Sequence, residues 1–172
     1  MYPVDESDQV HELSGVPQSS VGAPIPVVLG DERSLHLVYF VQNTPEGWDG
    51  STVRVVGLDT KAEPLAVVTF RACYASMFGP PNDEAFAGHP LADRGLHPYS
   101  AFEIRPSSWL RQLERMNSVH PHHKPERFDE LRHFVFAFHD STFECVAESI
   151  EVESRISPVA EVLKELSVRL CQ

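Results

Sequence analysis

In "RHFVFAFHD" (Arg132–Asp140) every second residue from Phe134 to Phe138 is aromatic. That two-residue period belongs to a strand with one buried face. "TFECVAESIEV" (Thr142–Val152) follows directly, and the pair predicts a β-hairpin. A two-residue turn at Asp140-Ser141 would set Phe138 opposite Phe143, Phe136 opposite Cys145, His139 opposite Thr142 and His133 opposite Glu148. One face then collects Phe134, Phe136, Phe138, Phe143, Cys145 and Ala147, a core in which Cys145 acts as a small hydrophobe. The other carries His133, His139, Glu144 and Glu148.

The rest of the pattern predicts further strands. "RSLHLVYFVQ" places Leu35, Leu37, Tyr39 and Val41 on one face. "TVRVVGL" (residues 52–58) and "PLAVVTFRAC" (residues 64–73) read as strands joined by "DTKAE", and "YSAFEI" (residues 99–104) as a short one. Between Tyr74 and Pro98 the periodicity breaks in a stretch with four prolines and three glycines from Phe78 to Tyr99. Proline fixes φ and donates no hydrogen bond, so a long shaped loop is expected there.

Two helices follow from spacing. "SSWLRQLERMN" has Ser107 or Ser108 as a cap and Trp109, Leu113 and Met116 at i, i+4, i+7. "PERFDEL" supplies one further helical turn. "SPVAEVLKELSVRLCQ" begins with Ser157 as cap and Pro158 in the first turn, and aligns Val159, Val162, Leu163, Leu166 and Leu170 in one stripe. The expected fold class is α+β: an antiparallel β-sheet with one inserted helix and a C-terminal amphipathic helix packed on it. Residues 1–24, rich in Asp, Glu, Ser, Gly and Pro, read as a flexible N-terminal arm, and 25–172 as a single domain.

Composition narrows the function classes. A net charge of −11 and a pI near 5.2 disfavour nucleic acid or an anionic membrane as partner. Three widely spaced cysteines form neither a disulfide framework nor a zinc motif, and suggest a reducing, cytoplasmic setting. The opening "MYPVDESDQVHELSG" has no apolar core region, so no signal peptide is read there.

The candidate chemistry is histidine chemistry, since nine occur. On the hairpin, His139, Glu144 and His133 are candidate catalytic residues, because a carboxylate beside an imidazole orients it for general-base work. Three His-Pro dipeptides, at His89, His97 and His120, place imidazoles in extended loop backbone. His89, His97, Tyr99, Trp109 and Asn117 are candidate ligand-binding residues on the two loops beside the hairpin. His120, His122 and His123 are candidate metal ligands, with zinc the cofactor such a set would hold if a carboxylate completed it. No GxSxG elbow or glycine-rich phosphate cradle is present.

The pieces "GHPL", "RGLHPYSAFEI", "SSWL", "NSVHP", "LRHFVFAFHDSTFEC" and "VAESIEV" lie between Phe86 and Val152. Through them the chain resembles small bacterial proteins of uncharacterised function. The resemblance implies one structural unit and no activity. The leading expectation is a soluble accessory or ligand-binding domain of unknown ligand, its partner a small molecule or a protein. The alternatives are a small hydrolase-like enzyme with a His/carboxylate site, zinc-assisted or not, and a protein-interaction domain that self-associates through exposed strand edges.

Overall fold

The computed structural model describes residues 2–44, 47, 49 and 55–171. In chain order its strands are β1 (Val10–Glu12), β2 (Val27–Gly30), β3 (Ser34–Phe40), β4 (Glu63–Arg71), β5 (Ala75–Gly79), β6 (Ala101–Ile104), β7 (Arg132–Ala137), β8 (Thr142–Ala147) and β9 (Ser149–Ser157). The helices are α1 (Ser108–Asn117), the single turn α2 (Glu126–Asp129) and α3 (Val159–Leu170).

The class is α+β, with the strands divided between two antiparallel sheets where one was expected. The first runs β1-β6-β7-β8-β5 and the second β2-β3-β4-β9. The division comes from two crossings side by side. After β8 the chain bends at Glu148, whose N–H donates to the Arg71 carbonyl at 3.0 Å. It then pairs as β9 along all of β4, from Arg71 opposite Ser149 to Glu63 opposite Ser157. At the same corner β4 leaves the second sheet through Ala72, at φ 49°, and returns as β5 against β8. The segment read as one long second hairpin strand is therefore two strands in different sheets, and β5 is a strand where a loop was expected.

The sheets pack face to face, and the phenylalanine alternation supplies their interface. Phe134, Phe136, Phe138, Phe143, Cys145 and Ala147 meet Leu35, Leu37, Tyr39, Val68 and Phe70, all within a few per cent of full burial. Phe70 is the centre, its ring centroid 6.0 Å from Phe134, 5.8 Å from Phe136 and 5.3 Å from Phe143. The hairpin register differs from expectation by two. Phe136 lies opposite Phe143 and Phe134 opposite Cys145, because the turn residues are His139-Asp140, closed by the Phe138 N–H on the Ser141 carbonyl at 2.8 Å. Moving the turn by one residue moves the pairing by two and leaves every side chain on its expected face.

On the outer face of the second sheet α3 buries Val159, Val162 and Leu166 against Val38, Phe40, Leu65 and Val67, as its stripe predicts. Its N-cap is Pro158, without a side-chain cap, since Ser157 is still the last residue of β9. The outer face of the first sheet is covered by α1, the 80–98 loop and the N-terminal segment. Ser107 caps α1 by accepting the Leu110 N–H, and the helix buries Trp109 with Leu110 and Leu113 beside it. Met116 points out, 64% exposed.

Two expectations fail. Residues 2–24 are bound rather than loose: Tyr2, Asp8 and Ser19 are buried and β1 pairs with β6. Val55–Leu58 form no strand, and Val55 is 88% exposed; residues 52–54 of that predicted strand lie outside the described residues. Among the described residues no helix is long and apolar enough to cross a membrane.

Candidate functional site

Two polar clusters occupy the first sheet, one sealed and one open. The sealed cluster centres on Glu144 in β8. Its Oε2 accepts the His133 Nε2–H at 2.9 Å and the Tyr2 O–H at 2.7 Å. A carboxylate can only accept, so His133 carries its hydrogen on Nε2 and Nδ1 is left to accept from the Ser107 hydroxyl at 2.9 Å. His89 has the same tautomer, because its Nδ1 accepts the Leu91 N–H. Its Nε2 stands 3.5 Å from Glu144 Oε1 with no better polar partner.

The expected pairing of His133 with Glu148 is replaced by His133 with Glu144, a consequence of the hairpin register. These groups are buried: His133 is 0%, His89 3% and Glu144 4% exposed. Burial raises the cost of the Glu144 charge, and the hydrogen bonds from His133 and Tyr2, with the nearby His89 Nε2, more than offset it, holding the carboxyl at about 2. Trp109 closes the cluster, stacked on Tyr2 at 5.3 Å and edge-on to His133 at 5.0 Å.

The N-terminal segment over this cluster is strapped down by charge. Arg111 of α1 reaches Asp5 at 2.7 Å and Asp8 at 2.8 Å, Ser108 donates to Asp8, and Arg94 holds the carbonyls of Asp5 and Asp8. So Glu144, His133, His89 and Tyr2 form a buried polar cluster under the Trp109 ring, and it joins strap, loop and helix to one sheet. Ser107, His133 and Glu144 recreate the order of a serine-histidine-carboxylate relay, with the ring nitrogens reversed and the serine oxygen occupied as a helix cap.

The open cluster sits at the hairpin turn. Asp83 of the long loop accepts on Oδ2 from His139 Nδ1–H at 2.9 Å and from the Tyr99 O–H, and the Tyr99 oxygen lies 3.0 Å from the same nitrogen. The Tyr99 hydrogen bond, with that from His139, draws the Asp83 carboxyl below its ordinary value against some burial. The same bond pushes the Tyr99 phenol up to about 12. Tyr99 has φ 64°, a left-handed conformation a bulky residue seldom adopts. With Nδ1 spent on Asp83, His139 turns Nε2 outward, its side chain 40% exposed and Asp140 4.0 Å away.

Tyr99 also lines a cavity of about 220 Å³ at the open end between the sheets, with Leu13, Pro17, Tyr39, Phe136 and Phe138 among its walls and Glu12, Ser19 and Ser100 as polar points. A second cavity of about 370 Å³ lies on the outer face of the second sheet beside the end of α3, lined by His36, Thr69, Arg71, Glu151 and Arg169. Its cations are already paired, Arg71 with Glu151 in two hydrogen bonds and Arg169 with Glu165.

The remaining expected residues do not join either cluster. His123 places Nδ1 on Asn117 and Nε2 on Glu114 at 2.9 and 2.7 Å, which ties the loop to α1 and uses up Asn117. His120 accepts the His122 N–H, and both rings are exposed. The metal trio is corrected accordingly: among the described residues no group of three or more His, Cys, Asp or Glu is placed to hold a metal ion. His97 packs edge-on to Phe102 at 5.0 Å and faces Glu12 at 3.9 Å. The expected His139–Glu144 neighbourhood is absent, since the two residues belong to different clusters.

Sequence reasoning missed Tyr2, Asp83, Ser107 as a relay member, and Arg111. Asp83 sits in a turn-forming "PPNDE" and Tyr2 in a polar arm, so neither carries a periodic signal. Comparison of the chain with family models, curated proteins and solved structures finds no match.

Proposed function

We propose that the protein is a binding domain for a small aromatic ligand that enters the 220 Å³ cavity along its Tyr99 wall, whose hydroxyl is held by Asp83 and His139. The observation that carries this is the open cluster. Three separate segments meet on one carboxylate oxygen of Asp83, which fixes the Tyr99 hydroxyl at the cavity wall, while His139 Nε2 faces Asp140 at 4.0 Å. A cavity with aromatic walls and a few fixed polar groups is the usual composition of a small-molecule site. The size suits a ligand of one ring. The neighbouring Glu12, Asp83 and Asp140 favour a neutral or cationic one over an acid.

The test uses benzylamine, tyramine and 4-hydroxybenzoate as probes, followed by amide NMR shifts of the full chain. Saturable shifts of Tyr99, Ala101 and Phe138 with the amines are expected, weakened about tenfold or more, roughly 1.4 kcal/mol, by His139→Ala. Shifts that are absent, or unchanged by His139→Ala, would sink the reading.

A second reading, a hydrolase using His139 as general base, is favoured by the Asp83–His139 pair, which fixes the tautomer with Nε2 as the acceptor. Turnover of 4-nitrophenyl acetate above the rate of free imidazole, lost in Asp83→Asn as well as in His139→Gln, would select it.

A further inference from the structure

We propose that Cys73 and Cys145 are a thiol–disulfide site, oxidised to an intramolecular disulfide by a low-molecular-weight disulfide that reacts first at Cys73. The two residues are 72 positions apart, yet their sulfurs are in contact at 3.4 Å with both thiols free. They stand at the corner where β4 crosses to become β5. Cys73 follows the left-handed Ala72, and Cys145 lies in β8 opposite Ser76. Disulfide formation needs the sulfurs to approach to about 2.0 Å, a motion of roughly 1.4 Å, which side-chain rotation and a small shift of the turn can supply.

Accessibility divides the roles. Cys73 is half-buried and reachable, whereas Cys145 is 0% exposed beneath it. The hydrogen bond from Cys145 favours the Cys73 thiolate, against burial, while the same contact and burial push the Cys145 thiol up. The accessible sulfur is thus also the better nucleophile.

The reaction balances as follows. The Cys73 thiolate attacks one sulfur of the small disulfide RSSR, whose S–S bond breaks. One RS⁻ leaves and takes up the proton released by Cys73. The Cys145 sulfur then attacks Cys73 in the mixed disulfide and expels the second RS⁻, which takes the Cys145 proton. Two cysteine thiols lose two electrons in all, and RSSR becomes two RSH. Cys171, exposed at the end of α3, has no part in this.

The experiment treats the folded Cys171→Ser chain with oxidised glutathione, quenches with iodoacetamide and measures intact mass and peptides. The expected product is monomeric, lighter by two hydrogens, unalkylated, and linked between the Cys73 and Cys145 peptides. In Cys73→Ser, Cys145 should react about 100-fold more slowly than Cys73 does in the parent, since Cys145 is 0% exposed and the reagent reaches it only through Cys73. Persistent glutathione on Cys73 without transfer to Cys145, no oxidation at all, or undiminished reaction of Cys145 in folded Cys73→Ser would each overturn the proposal. Circular dichroism of Cys73→Ser confirms that the variant compared is folded.

Discussion

Phe136→Ala is expected to destabilise the protein by about 3–5 kcal/mol, the range for truncating a buried phenylalanine where the surroundings cannot collapse. Phe136 is 2% exposed and touches both sheets, its ring 5.8 Å from Phe70, 6.4 Å from Phe143 and 6.5 Å from Tyr39. Its other side lines the 220 Å³ cavity, so truncation enlarges a space that already exists. Urea melts check the value through a lower midpoint at unchanged slope. Phe78, an aromatic on β5 that is 50% exposed, is the control and should lose about 1 kcal/mol or less on the same change. Equal losses for both would mean that the sandwich interface is not where the energy lies.

Glu144→Ala should cost a comparable 3–5 kcal/mol for a different reason. It leaves the buried Tyr2 hydroxyl and the His133 and His89 nitrogens without their common acceptor, and broken buried charge networks lose that much. The same residue sets an acid limb. Glu144 titrates near 4.5 when unfolded and about 2 in the fold. A depressed folded value stabilises above the unfolded one, so the contribution is complete above about pH 4.5 and disappears as pH falls through about 2. At about 1.4 kcal/mol per pH unit the contribution is on the order of 3 kcal/mol. Urea midpoints of wild type and Glu144→Gln, taken between about pH 6 and pH 2, isolate it from other carboxylates. The difference between the two chains should shrink across that window, and a constant difference would remove Glu144 as the cause.

The parts of the fold that were legible are those with a local period. The phenylalanine alternation marked the core face of β7, and the Val159–Leu170 stripe marked the docked face of α3, because burial on one side imprints a period on the residues themselves. The hairpin faces came through even with the turn misplaced, since a one-residue shift of the turn preserves them. The division into two sheets was not legible. Glu148 looks like any strand residue, and only its hydrogen bond to Arg71 makes it a corner. The candidate sites were half legible for the same reason. His133, His139 and Glu144 stood out by type and face, but their partners Tyr2, Asp83 and Tyr99 arrive from distant segments. Which histidine meets which carboxylate depends on pairings no local pattern records. The loop histidines misled because "HPHH" advertises ligands, while His123 is spent on Glu114 and Asn117.

The side-by-side crossing at Arg71 and Glu148 also bears on how the chain is made. β3 and β4 are synthesised early, yet β4 completes its sheet only against β9, some eighty residues later in the chain. The second sheet's outer face, Val38, Phe40, Leu65 and Val67, waits still longer, for α3. Until then the paired β2, β3 and β4 emerge from the ribosome with the edge of β4 open and one apolar face uncovered, a state from which nascent chains aggregate. The closure of β9 onto β4 is non-local and therefore slow. The yield of this protein should thus depend less on its final stability than on the interval between Arg71 and Ser149, during which the sheet has no partner for its last strand.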